Sequence, residues 1–162
     1  RALLIYSKHM IILGLDPGIA RTGYGVVDTS KQATFIRCGC ITTLPAYPIE
    51  ERLAIIATDV SSIIDETHPD IAVVEEIFFG ANKKTAMATA HVRGVLLYIL
   101  ASQNISIQSL TPLQIKSRLT GYGAASKEQI QRAVVGQLHL TAIPKPDDAA
   151  DALAAALCAI VY

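Results

Sequence analysis

Residues 11–27 read IILGLDPGIARTGYGVV. The apolar run 11–15 ends at Asp16 and is stopped by Pro17-Gly18, the pattern of a strand buried on both faces and closed by a forced turn. Beyond it, residues 24–28 and 34–41 make two more short strands around a turn at Ser30-Lys31-Gln32, so the chain opens as a meander. Leu53, Ile56, Ala57, Val60, Ile63 and Ile64 then recur at helical spacing, with Glu50, Glu51, Asp59, Asp65 and Glu66 mostly on the other side, and Pro69 stops this helix. A second apolar strand at 71–74 runs into Glu75-Glu76, and a loop through residues 79–82 leads to a helix over about 84–102. After a third core strand at 105–110 come two shorter helices. One follows Pro112, and the other is opened by Ser126 as N-cap with Gln129 three residues on; Gly121-Tyr122-Gly123 is the loop between them. Pro144 and Pro146 introduce a last helix over about 147–161. This order predicts an α/β domain with a mixed sheet of about five strands and helices on both faces.

The length of 162 residues is that of one domain with a real core, and no repeat or linker divides it. Residues 1–9 precede Met10 and the first strand and are expected to be a leader outside the fold, which leaves 10–162 as the domain. No apolar run reaches the ~20 residues that span a bilayer. Cys38, Cys40 and Cys158 have neither disulfide nor zinc spacing and read as small packing residues in a reducing compartment, which predicts the cytoplasm. The formal net charge is zero, yet between Ile77 and Pro146 the basic residues are Lys83, Lys84, Arg93, Lys116, Arg118, Lys127, Arg132 and Lys145 against Glu128 alone. The asymmetry suggests one basic face, and an ordinary solvated face is the plainer alternative.

Four acids stand where acids are costly. Asp16 and Glu75 end apolar strands, and Asp148 and Asp151, at i and i+3 in DDAADALAAAL, share one helical face. If the two strands are neighbours and the last helix crosses their ends, all four converge in one small volume. Like charges so placed repel, and a divalent cation is the natural counter-charge. Two such ions ~3.5–4 Å apart promote in-line hydrolysis of a phosphodiester. Each acid also has a plainer reading: Asp16 as a turn residue, Asp147 or Asp148 as a helix cap, Glu75 or Glu76 as a surface charge. Asp151 resists this, since alanines and Leu153 surround it.

The blocks IILGLDPGIARTGYGVV (11–27), VVEEIFFGAN (73–82), HVRGV (91–95), GYGAASKEQIQ (121–131) and PDDAADALAAAL (146–157) resemble, in order and spacing, the motifs of the RuvC family of Holliday-junction resolvases. The resemblance covers essentially residues 10–161 and implies a ribonuclease-H-like fold. It also implies a Mg²⁺-dependent endonuclease, with Mn²⁺ as a substitute and two ions per site, that cuts opposing strands of four-way junction DNA in recombination and repair. It implies Asp16, Glu75, Asp148 and Asp151 as metal-binding catalytic acids. Glu75 is preferred to Glu76 because the family's acid directly follows the apolar strand, three residues before the loop aromatic; Asp148 is preferred to Asp147 because the family pattern is D-A-A-D. By the same resemblance Phe78, or Phe79 in its place, stacks on a base near the junction centre. Lys116 and Lys127 match two lysines beside the active site, and Lys83, Lys84, Arg93 and Arg118 join them as DNA-contacting cations. A homodimer and a RuvA–RuvB branch-migration partner are implied as well.

A helix carrying Ala86, Ala88, Ala90, Val92, Leu96, Leu97 and Ile99 has small and apolar residues widely around it, which marks 84–102 as the candidate dimer interface. Three rival readings remain. Asp16-Pro17-Gly18 with Gly23 also resembles the phosphate loop of actin-like ATPases, but that family needs a duplicated domain and a second phosphate loop. The others are a branched-DNA-binding module that does not cut, and a related nuclease acting on RNA.

Overall fold

The computed structural model describes residues 9–29, 32–77 and 83–159, the side chains of 83–85 excepted. The opening meander consists of β1 (Ile11–Asp16), β2 (Arg21–Asp28) and β3 (Thr34–Thr42). β2 begins at Arg21, three residues before the sequence suggested, because its ladder with β1 runs out to Asp16 opposite Gly23 and its ladder with β3 to Arg21 opposite Thr42. The Pro17-Gly18 turn between them is closed by the buried Thr22, whose hydroxyl donates to the Gly18 carbonyl at 2.8 Å.

Helix α1 (Ile49–Thr67) returns the chain to β4 (Ile71–Glu75), and α2 (Lys83–Ser102) returns it to β5 (Ser106–Leu110). Both strands pair in parallel, and the five-stranded sheet has the order β3-β2-β1-β4-β5. β1 and β4 are therefore neighbours pointing the same way, and Asp16 and Glu75 lie at the same edge. Three helices follow: α3 (Pro112–Thr120), α4 (Lys127–Gln137) and α5 (Asp147–Leu157). The first two start on complete capping boxes, Thr111 with Gln114 and Ser126 with Gln129.

Strand alternation sorts the core into two layers. Leu13, Leu15, Val26, Ala72 and Val74 pack with α1 and α2, whereas Ile12, Val27 and Val73 pack with the α3–α5 side. On that second face β1 and β2 carry Gly14, Gly23 and Gly25 where the neighbouring pattern carries valine or isoleucine. A Cβ on Gly14 would strike the backbone of Ala152 and lie 2.7 Å from the Ala156 nitrogen, and one on Gly25 would lie 2.7 Å from the Leu153 nitrogen. Helix α5 thus sits backbone-to-backbone on the sheet, which explains its alanines: Ala149, Ala150, Ala152, Ala154, Ala155 and Ala156 are all buried. The helix ends at Leu157, with Cys158 as its cap, short of the extent suggested by sequence. Cys38 and Cys40 are half-buried on β3 and Cys158 is buried, all as free thiols.

Candidate active site

Position along β1 and β4 decides which face each acid serves. Ile12, Gly14 and Asp16 alternate onto the face covered by α5, as do Val73 and Glu75. Glu75 and not Glu76 therefore points to that side; the Glu76 amide donates instead to the Leu110 carbonyl at 2.8 Å, at the end of the sheet. Asp151 arrives from above on α5. Asp16, Glu75 and Asp151 line one cavity of about 250 Å³ with Lys116 of α3 and Lys127 of α4, and its apolar wall is Pro112, Ile115, Ile130 and Ala154.

The electrostatics are those of crowded, desolvated carboxylates. Burial, and after it the charges of Asp151 and Asp148, push Asp16 up to about 7, with Lys127 opposing. Burial, then Asp16 and Asp151, push Glu75 up to about 8, with Lys116 opposing. Asp151 is raised as well, chiefly by burial, although Lys127 offsets part of it. Each acid is thus held as a poor anion by burial and by its neighbours, which is the condition a dication relieves. The donor set is carboxylate oxygen alone, suited to a hard divalent ion that keeps some of its waters. Among the described residues no three carboxylate, histidine or cysteine side chains already enclose a single point.

Asp148 stands beside the cavity acids, close enough that its charge raises both Asp16 and Asp151. It does not line the cavity but lies over Gly23 of β2, where a glycine Cβ would come 3.2 Å from its own Cβ. Its Oδ2 is 3.3 Å from Arg21 Nε, without the geometry of a hydrogen bond. Asp147 has turned the other way. Half-exposed, it pairs with Lys127 at 3.1 Å and Lys145 at 3.4 Å and accepts a bond from Gln131, and the Lys127 hydrogen bond holds its carboxyl below the usual range. Lys127 also reaches Asp151 at 3.4 Å, so it bridges the cavity acid to the surface one.

The remaining expected residues divide. Arg118 donates to the Cys158 carbonyl at 3.2 Å, capping the end of α5 remote from the acids, and Arg93 donates to Ser109 on β5 at 2.9 Å. Both are hydrogen-bonded within the protein itself. Phe78 and Phe79 lie outside the described residues, as do the side chains of Lys83 and Lys84. Two neighbours of the acids, Arg21 and Gln131, were not singled out from sequence. For Arg21 the signal was available: it has the same parity along RTGYGVVD as Gly23 and Gly25.

The family model described as crossover junction endodeoxyribonuclease RuvC matches residues 12–159. The crossover junction endodeoxyribonuclease RuvC of Caldicellulosiruptor saccharolyticus is 46% identical over 154 residues, covering 94% of this chain and 93% of that protein. That of Natranaerobius thermophilus is 47% identical over 150 residues, covering 92% and 93%. Among solved structures, Thermus thermophilus RuvC in complex with a Holliday junction substrate is similar with a TM-score of 0.88 and 33% identity, covering 93% of this chain and 92% of that one. A yeast mitochondrial Holliday junction resolvase, 13% identical and covering 91% of this chain and 77% of its own, shares the fold with a TM-score of 0.65. With the ribonuclease-H-like sheet, the two strand-end acids and the acid-bearing helix laid across them, the chain belongs to the RuvC family of crossover junction endodeoxyribonucleases.

Proposed function

We propose that this protein resolves four-way DNA junctions by metal-assisted hydrolysis, nicking two opposing strands at symmetric positions. The observation that carries the reading is the single cavity in which Asp16, Glu75 and Asp151 meet Lys116 and Lys127. Asp16, Glu75, Asp148 and Asp151 are the residues to hold Mg²⁺, with Mn²⁺ as a substitute and two ions per site. Bound there, such ions activate a water and stabilise the leaving oxygen of the phosphodiester. Lys116, facing Glu75 across the cavity, holds a non-bridging oxygen of the scissile phosphate. Lys127 already spans Asp147 and Asp151, and turned toward substrate it screens the charge that develops in the transition state. Phe78 stacks on a base at the junction centre, and Lys83 and Lys84, the first residues of α2, contact the backbone.

Two symmetric cuts by a domain with one site require two copies about a two-fold axis. Of the residues that suggested α2 as the interface, Ala86, Val92, Leu96 and Ile99 are buried in the domain's own core, so the contact falls to the outer strip of α2. Met87, His91, Gly94 and Tyr98 recur at helical spacing away from the core, with Met87 62% and Tyr98 73% exposed. A RuvA–RuvB complex provides branch migration by family analogy, and the cytoplasm is the compartment of such DNA work. Among the described residues no helix is long and apolar enough to cross a membrane.

The test is incubation of purified protein with a synthetic four-way DNA junction, with Mg²⁺ or with EDTA. Paired, ligatable nicks at symmetric positions, absent in EDTA and on linear duplex, are expected. Junction binding with no nick under any divalent ion leaves a non-cutting branched-DNA module, and cleavage confined to an RNA substrate makes it an RNA nuclease.

A further inference from the structure

The cations of the site stand on two banks. Lys116 and Lys127 come from α3 and α4 and line the cavity, Lys116 beside Glu75 at the end of β4. Arg21 comes from the opposite side. It is the first residue of β2, paired with Thr42 of β3, and it shares strand parity with Gly23 and Gly25, so its side chain leaves the sheet on the face that carries Asp16 and Glu75. Asp148 lies between it and the cavity acids.

The Arg21–Asp148 contact uses little of what arginine offers. A guanidinium has five N–H donors in a planar fork, and here only Nε approaches the carboxylate, at 3.3 Å and off hydrogen-bond geometry. Asp148 Oδ2 is left buried with no hydrogen bond, and the Arg21 side chain is 57% exposed. A half-exposed ion pair of this kind contributes little to stability. The Nη fork faces no other ion-pair partner among the described residues, and phosphate is the group that such a fork matches best.

We propose that Arg21 is a substrate-phosphate ligand that Asp148 holds in reserve: freed from Asp148, the guanidinium turns to a backbone phosphate of the bound strand on the β2 side of the acids. The strand is then gripped from both banks, by Lys116 and Lys127 on one and by Arg21 on the other. This rests on the junction-binding reading above and adds to it a contact on the β2 bank.

A double-mutant cycle of Arg21→Ala and Asp148→Asn, with junction affinity measured against salt in EDTA, tests it. With Asp148 intact, Arg21→Ala should change affinity less than about twofold, because the guanidinium is occupied. In the Asp148→Asn background the same change should cost roughly tenfold and flatten the log–log salt slope by about 0.9 per protomer, the signature of one lost phosphate contact. Arg21→Lys in that background should keep the slope and part of the affinity. Thermal melts of all variants separate folding from binding, since a purely structural tether lowers the melting temperature and leaves the salt slope alone. An unchanged slope on Arg21→Ala in the Asp148→Asn protein overturns the proposal while junction binding itself stands. Failure of every variant and of the parent protein to bind the junction overturns the functional reading instead.

Discussion

Asp16 and Gly23 face each other across the antiparallel β1–β2 ladder, and the missing side chain at Gly23 is where the first turn of α5 rests with Asp148. Strand end, glycine and helix start are stacked, so the spacing of the acids is set by how closely α5 approaches the sheet. Gly14 and Gly25 extend the same contact along the helix.

Gly14→Ala or Gly23→Ala should therefore lower stability by roughly 3 kcal/mol, because the added methyl meets backbone that cannot swing aside. The measurement is urea unfolding. Cleavage should fall further than the loss of folded protein accounts for, since α5 carries Asp148 and Asp151 away with it. A variant with parental stability and activity would show that α5 is not seated on these glycines.

Neutralising the acids should separate cutting from binding. Asp16→Asn, Glu75→Gln, Asp148→Asn and Asp151→Asn are each expected to slow junction cleavage by at least about 100-fold, in line with loss of a major transition-state electrostatic contribution. Junction affinity should hold or rise, because a negative charge is gone. Glu76→Gln and Asp147→Asn should be mild, since one points away from the cavity and the other pairs with lysines at the surface. Inactivation by Glu76→Gln with an active Glu75→Gln would reverse that assignment.

Lys116→Ala and Lys127→Ala should each slow single-turnover cleavage by about 10²-fold while weakening junction binding only a few-fold. Phe78→Ala should impair cutting chiefly on junctions that have not yet opened. Equal losses in rate and affinity for the lysine variants would make them simple backbone contacts.

Protein kept in EDTA should lose stability as pH rises. Asp16 and Glu75 ordinarily titrate near 3.8 and 4.5 in the unfolded chain but near 7 and 8 when folded. Between these limits the folded chain keeps protons that the unfolded chain releases, so this contribution is fully present below about pH 4 and is lost as pH passes 7 to 8. Melting temperatures at pH 5.5 and 8.5 measure it, and Mg²⁺ should restore more at the higher pH. A melting temperature indifferent to pH in the Asp16→Asn/Glu75→Gln variant, against a falling one in the parent, would tie the effect to these two residues.

Tyr98→Glu, in the exposed strip of α2, should shift sedimentation from dimer toward monomer without lowering the melting temperature of the monomer, because Tyr98 lies 73% in solvent. Paired nicking should give way to single nicks. A variant that remains dimeric would move the contact to another face.

The sequence by itself determined the elements and their order, because period-2 and period-3.6 apolar patterns and their proline, glycine and capping punctuation are local properties. It also marked Asp16, Glu75, Asp148 and Asp151 as acids where acids are costly, Asp151 most clearly, since alanines and Leu153 surround it. Tertiary structure alone decided which acids share the cavity. Glu75 is separated from Glu76 by strand parity within the assembled sheet, and Asp147 from Asp148 by the direction in which α5 lies on it. Arg93 and Arg118 looked like free cations in the sequence and found partners in Ser109 and Cys158, residues 16 and 40 positions away. Arg21 became a neighbour of Asp148 although 127 residues separate them, since only the packed α5 closes that loop. Contacts of that range depend on strand order and helix seating, which a one-dimensional pattern constrains but does not contain.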